Sequence, residues 1–295
     1  MLKDEFIHHI RFEKRYSAHT VGAYNRDLEQ FFTYLHSVYG IEDAAAVTPA
    51  LVRSWMVFLM EKSLDTKSIN RKISALKSFY RFLMKQGKID ENPMQKVTSP
   101  KMSKRLPVFV EEEKMDLLLG EVEFENNFTG IRDRLILEMF YFTGMRLSEL
   151  TGLRDPDIDL QQSQIKVLGK RNKERIIPFG KELKKSILNY RDVRDTEIGS
   201  FSRDGWFFMT VRGKKLYEKL VYRVVNNYLS KVSSLKKKSP HVLRHTFATH
   251  MLNHGADLNA VKELLGHASL AATQVYTHNT IERLKSIYNQ AHPRA

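Results

Sequence analysis

The sequence predicts a mainly helical protein (α+β) in two domains, the second carrying one small antiparallel sheet. Three observations lead there. The chain has 295 residues, and at roughly 100–200 residues per domain that is enough for two cores. Apolar residues recur at steps of three and four through most of the chain, the period of a buried helix face, and read as strands only in a short pair around Ile165–Val167 and Arg175–Pro178. From Asn92-Pro93 through Ser99-Pro100 to Pro107 the helical period lapses into proline, serine and lysine, the composition of a linker. The expected division is residues 1–97, a linker at 98–107, and residues 108–295.

Within the first domain, Leu2, Phe6 and Ile10 lie four apart among charges, which reads as an amphipathic helix and not as the unbroken apolar run of a secretory signal. Ser17 and Thr20 precede a second helix over roughly 18–37, with Val21, Tyr24, Leu28, Phe31 and Leu35 on one face. Thr48-Pro49 is an N-cap followed by proline at the first helical position, and Leu51, Trp55, Phe58 and Leu59 supply the next buried stripe. After Asp65 and Thr66 a fourth helix carries Ile69, Ile73, Leu76, Tyr80 and Leu83 inward and closes at Gly87. Its other residues include Lys67, Arg71, Lys72, Lys77, Arg81 and Lys85, a basic row able to hold phosphates; Arg71, Lys77 and Arg81 are the candidates. An ordinary solvated face is the competing reading of such a row.

In the second domain helices are expected near 111–119 and 130–142 and from about 180, 216, 240, 257 and 280, around the two short strands. No stretch approaches the roughly 20 apolar residues a membrane span requires.

Composition narrows the function. Lysine and arginine number 48 against 34 acids, a formal net charge of +14, while 42% of residues are hydrophobic. A folded chain with that surplus calls for a polyanionic partner. Cysteine is absent, which excludes disulfides, thiolate metal sites and a cysteine nucleophile, and fits a reducing intracellular setting. Phosphate-binding GxxxxGK[ST], GxSxG and HExxH patterns are missing. His241, His245, His250 and His254 cluster in one segment, but no carboxylate ligand stands near them in sequence, so no metal is expected there.

TGMRLSEL (143–150), HVLRHTFATH (241–250) and LLGHASLAATQVYTH (264–278) together resemble, in order and spacing, the signature boxes of tyrosine site-specific recombinases of the phage integrase type, most of all the bacterial Xer recombinases. The resemblance extends through AHTVGAYNRDL (18–28), SINRKISALKSFYRFL (68–83) and the terminal HPRA (292–295). It implies an N-terminal four-helix, SAM-like core-binding domain and a catalytic domain that close on duplex DNA as a clamp.

The roles it implies fit the residue types. Breaking a strand without hydrolysis needs a nucleophile that keeps the phosphodiester energy in a covalent ester, and Tyr276, nine residues after His267, takes that position. Arg146 and Arg244 match the two arginines that hold the charged non-bridging oxygens, with Glu149 orienting the first. His241, three residues before Arg244, and His267 can hydrogen-bond the phosphate or accept the phenol proton. Lys170, at a hairpin tip, takes the position of the acid that protonates the leaving 5′-oxygen, with Lys173 as its neighbour; the glycine usual after that lysine is Arg171 here. His245 and His278 match no catalytic position and read as structural.

No cofactor or metal is implied. The expected partners are a double-stranded DNA recombination site, identical or paralogous recombinases in a tetramer that exchanges strands through a Holliday junction, and a division-linked DNA translocase. The expected place is the cytoplasm, on the nucleoid. Resolving chromosome dimers is the expected task, with integration or excision of a mobile element second. A type IB topoisomerase would share the phosphotyrosine step without an ordered tetramer, and a DNA-binding regulator would form no covalent adduct.

Overall fold

Helix starts in the N-terminal part obey the caps written in the sequence. Side-chain oxygens of Ser17, Thr48 and Asp65 each accept the backbone N–H three residues on, from Thr20, Leu51 and Ser68, and a cap of this kind contributes about 1 kcal/mol. The computed structural model describes residues 2–101, 108–169, 174–199, 205–266 and 278–294. The chain divides into two units, residues 1–105 and 106–295.

In the first unit, α1 (Leu2–His8) runs into a widened turn at His9–Glu13, followed by α2 (Ala18–Tyr39), α3 (Pro49–Glu61) and α4 (Thr66–Lys85). The apolar faces meet in one core of Phe6, Leu28, Phe31, Trp55, Ile73, Leu76, Phe79 and Leu83. Aromatic rings cross edge-on inside it, as Phe31 does with Trp55 at 4.9 Å.

The second unit is built around α6 (Phe128–Thr143), which follows α5 (Glu112–Gly120). Residues Leu135 to Thr143 are all buried, so this part of α6 is a central helix surrounded by the core, with Glu138 held by Arg134 at 2.8 Å. Next come α7 (Leu147–Thr151), then β1 (Ile158–Asp159), β2 (Gln164–Leu168) and β3 (Glu174–Pro178). These form an antiparallel sheet in the order β1-β2-β3, with Ile165 opposite Ile177 and Val167 opposite Arg175. The expected strand pair is thus three-stranded; β1 is two residues long and α7 five, too short for either period to register in sequence.

Helices α8 (Lys181–Glu197), α9 (Glu218–Val232), α10 (Pro240–Asn253), α11 (Leu258–Leu265) and α12 (His278–Ala291) complete the unit. Phe247 and Met251 of α10 share a core with Leu264 and Leu265 of α11 and Leu284 and Tyr288 of α12.

The end of the chain is pinned through histidine. His292 is buried, donates from Nε2 to the Tyr141 carbonyl at 3.2 Å, accepts the Arg294 N–H at Nδ1, and stacks on Tyr288. Burial pulls its pKa down to about 4, so it packs as the neutral ring. His250 is likewise engaged at both nitrogens, by the Tyr141 hydroxyl and the Val110 carbonyl, each at 3.0 Å. His254 pairs with Glu112 at 3.0 Å. Among the described residues, no helix is long and apolar enough to cross a membrane.

Candidate active site

The site begins where α6 stops. Gly144 ends the helix with φ +58°, a left-handed conformation natural to glycine. A Cβ there would fall 2.5 Å from the Phe247 ring and 2.9 Å from a Leu265 methyl. That close approach brings the ends of α6 and α11 together. Two residues on, Arg146 caps α7, and the Glu149 carboxylate reaches back to accept its backbone N–H at 2.7 Å and its Nη1 at 2.7 Å. The carboxylate therefore fixes both the backbone and the fork of Arg146, the orienting role the sequence suggested.

A third arginine joins them. Arg175 stands on β3 on the same face as Ile177, with its side chain 4% exposed. It grips Glu149 with both terminal nitrogens, at 2.6 and 2.9 Å, the parallel two-bond geometry that guanidinium and carboxylate favour. Its Nε donates to the Leu264 carbonyl at 2.9 Å.

Arg244 completes the group from α10. Buried itself, it donates to the Gly144 carbonyl at 2.5 Å and to the Leu265 carbonyl at 2.6 Å, while Arg146 donates to the Gly266 carbonyl at 2.9 Å. Three successive carbonyls at the end of α11, those of Leu264, Leu265 and Gly266, thus receive Arg175, Arg244 and Arg146 in turn. A helix C-terminus leaves such carbonyls without intrahelical partners and carries partial negative charge. It supplies a rigid seat for the guanidinium planes.

The electrostatics of this group are one-sided. Among the described residues, three guanidiniums face a single carboxylate. Burial pushes the Glu149 carboxyl up, but the Arg175 and Arg146 bonds and charges outweigh it and hold the pKa at about 2. Among the described residues no carboxylate stands at bonding distance from Arg244, and burial together with repulsion from Arg146 and Arg175 pulls it down to about 9. Among the described residues, two of its five N–H groups bond carbonyls.

The sequence pointed to six catalytic residues. The structure brings Arg146 and Arg244 together at the end of α11, and places His241 exposed in the first turn of α10, one turn before Arg244. Lys170, His267 and Tyr276 lie outside the described residues, as does Lys173. Gly266, seated on Arg175 and Arg146, immediately precedes His267 in the chain. Arg175 escaped the sequence reading, although its position carries a signal: two residues before Ile177 on a strand, it must face inward, where a charge needs a partner.

On α4 the basic row divides. Arg71 is held by Asp27, and Lys72 is buried between Asp27 and Gln30 with its ammonium 5.9 Å from the Trp55 ring centre. Lys72 is therefore part of the core's polar support, not of the surface row. Lys77 is half-buried and Arg81 exposed.

Fold and site together define a helical protein of two units whose second unit gathers three arginines, Arg146, Arg175 and Arg244, around the last turn of α11. The phage integrase family matches residues 109–283, and the phage integrase N-terminal SAM-like domain matches residues 4–87. A protein of Chlorobaculum tepidum named tyrosine recombinase XerC is 40% identical over 99% of this chain and 94% of its own length. Its namesake from Oceanobacillus iheyensis is 42% identical over 99% of this chain and 96% of its own. Among solved structures, the XerH site-specific recombinase bound to a palindromic difH substrate, a post-cleavage complex, superposes with a TM-score of 0.71 at 22% identity, covering 90% of this chain and 78% of that one. The chain belongs to the phage integrase family.

Proposed function

We propose that this protein is a site-specific tyrosine recombinase that cuts and rejoins duplex DNA, and that its task is to resolve chromosome dimers. The buried surplus of guanidinium charge around Glu149, within a chain of net charge +14, is the observation that carries the reading. Such a group is costly to fold without an anion to receive, and it sits on a family scaffold whose relatives are named for this reaction.

The Tyr276 oxygen attacks the scissile phosphorus, the bond from phosphorus to the 5′-oxygen breaks, and a 3′-phosphotyrosyl ester forms. Lys170 gives the leaving 5′-oxygen its proton, and His241 or His267 takes the proton of the phenol. Arg146 and Arg244 hold the non-bridging oxygens, whose charge grows in the transition state. Rejoining is the reverse, with a 5′-hydroxyl of the partner strand attacking the ester, so no external energy source enters. Lys77 and Arg81 of α4, with Arg71 to the extent that Asp27 releases it, contact backbone phosphates of the site. Four protomers, identical or paralogous, exchange strands through a Holliday junction on the nucleoid in the cytoplasm, and a division-linked DNA translocase brings the sites together.

The test is to recover genomic DNA trapped covalently on the wild-type protein and sequence the fragments. The expected result is one short recurrent site with the protein on a 3′-phosphate. Binding with no covalent adduct would make the protein a regulator and refute the reading.

A further inference from the structure

Among the three arginines of the site, Arg175 is assigned no contact with DNA, yet it is the one most fully bonded to protein. Three of its N–H groups are committed, one to the Leu264 carbonyl and two to Glu149. Its side chain joins three elements that are remote in sequence: β3, which carries it, α7 through Glu149, and the last turn of α11. It also fixes the shape of that turn. Gly266 has φ +64°, and a Cβ on it would lie 2.9 Å from Arg175 Cδ and 3.2 Å from its Nε, so the turn and the guanidinium lie flat against each other with no room for a side chain.

A buried ion pair is a poor way to gain stability. An apolar residue at an inward strand position does as well or better, because removing two charges from water offsets most of their attraction. What a guanidinium offers there is shape: a rigid planar fork that locks a carboxylate along one edge and a carbonyl along another. The groups it locks are the ones that aim the other two arginines. Glu149 holds the Arg146 fork, and the carbonyls of Leu265 and Gly266, adjacent to the one Arg175 holds, seat Arg244 and Arg146.

We propose that Arg175 is a positioning residue for phosphoryl transfer: by clamping Glu149 to the end of α11, it sets the spacing at which Arg146 and Arg244 present their guanidinium groups to the scissile phosphate. The proposal rests on the recombinase function above. It separates Arg175 from a residue that merely supports the fold, because its effect must depend on the charge of the phosphate being transferred.

The experiment uses the full chain and the duplex that the wild-type protein traps covalently, nicked so that cleavage is irreversible, in two forms. One carries the normal scissile phosphodiester, the other an uncharged methylphosphonate at that position. Single-turnover cleavage and DNA affinity are measured for wild type, Arg175→Gln and Arg175→Lys. A displacement of about 1 Å at a reacting centre costs roughly 10²-fold. Arg175→Gln should therefore cleave the phosphodiester ~10–100-fold more slowly with affinity unchanged within about twofold, and the deficit should shrink to a few-fold on the methylphosphonate, which has no anionic oxygen to align. Arg175→Lys, a point charge without the fork, should resemble Arg175→Gln; should the glutamine variant fail to fold, the lysine variant is judged by the same criteria. An equal fractional loss on both substrates, which is what a reduced folded fraction produces, would overturn the proposal, as would wild-type cleavage by Arg175→Lys. Absence of an adduct with the wild-type protein would instead count against the recombinase function itself.

Discussion

Replacing Gly144 by alanine probes how tightly the junction of α6 and α11 is packed. Two costs add. An L-residue at φ +58° pays the left-handed penalty of about 1–2 kcal/mol, and a methyl 2.5 Å from the Phe247 ring and 2.9 Å from Leu265 overpacks the core by about 1–3 kcal/mol. The expected loss is about 2–5 kcal/mol, a large share of the 5–15 kcal/mol typical of a domain. Gly255 is the internal control, since it has φ +85° in the same unit but nothing within 4 Å of a built Cβ, so Gly255→Ala should lose only about 1–2 kcal/mol. In urea, with a slope of about 2 kcal/mol per molar, the midpoints should fall by about 1–2.5 M and about 0.5–1 M. The assay is a urea titration of the full chain fitted to two transitions, one per unit, followed by the fluorescence of Trp206 in the second unit and Trp55 in the first. Equal shifts in the two variants would mean that Phe247 and Leu265 simply give way, and the packing argument would fail. The Gly144 carbonyl also seats Arg244, so cleavage per folded molecule should fall in Gly144→Ala and hold in Gly255→Ala.

Four other outcomes are expected. Tyr276→Phe should bind the trapped site but form no adduct on a nicked duplex, and wild-type cleavage should persist in excess EDTA; an adduct in the variant would move the nucleophile elsewhere. Lys170→Ala should slow cleavage roughly 10²–10⁴-fold and recover on a substrate with sulfur in place of the bridging 5′-oxygen, whose thiolate leaves without a proton. Lys173→Ala should barely slow it, and Arg146→Ala should not recover; equal rescue of Lys170→Ala and Arg146→Ala would show the acid misassigned. Removing Lys77 or Arg81 should flatten the slope of log affinity against log salt by about one unit on any duplex, whereas Arg71→Ala should flatten it less because Asp27 already neutralises that guanidinium. Glu149 has its folded pKa depressed to about 2, so its stabilisation is full above the ordinary carboxylate range and is lost as pH falls toward 2; the deficit of Glu149→Gln against wild type should be largest near neutrality and close at acid pH, and a constant deficit would contradict the ion-pair account.

How far the site was legible in the sequence depended on the range of the interaction. Caps at Ser17, Thr48 and Asp65 act over three residues and could be read directly. Long helices announced themselves by period, and the pairing of Arg146 with Glu149 by their spacing. Arg175 could not be read this way, because its partners stand 26 and 89 positions away along the chain, and in sequence it is one more basic residue in a charged hairpin. The basic row of α4 misled in the opposite direction: Lys72 looks like its neighbours, yet Asp27, forty-five positions earlier, draws it inside. Identity of residue type fixes what a side chain can do, and only the tertiary fold decides which of several identical side chains does it.

The three carbonyls at the end of α11 have a consequence for the timing of synthesis. Arg146, Arg175 and Arg244 all leave the ribosome before Leu264, Leu265 and Gly266, the groups that seat them, and Tyr276 follows later still. A nascent chain that already displays these three guanidiniums cannot seat them side by side until the last turn of α11 has emerged. Translation order alone therefore withholds this arrangement of arginines from a DNA-cleaving enzyme until residues 264–266 have been made.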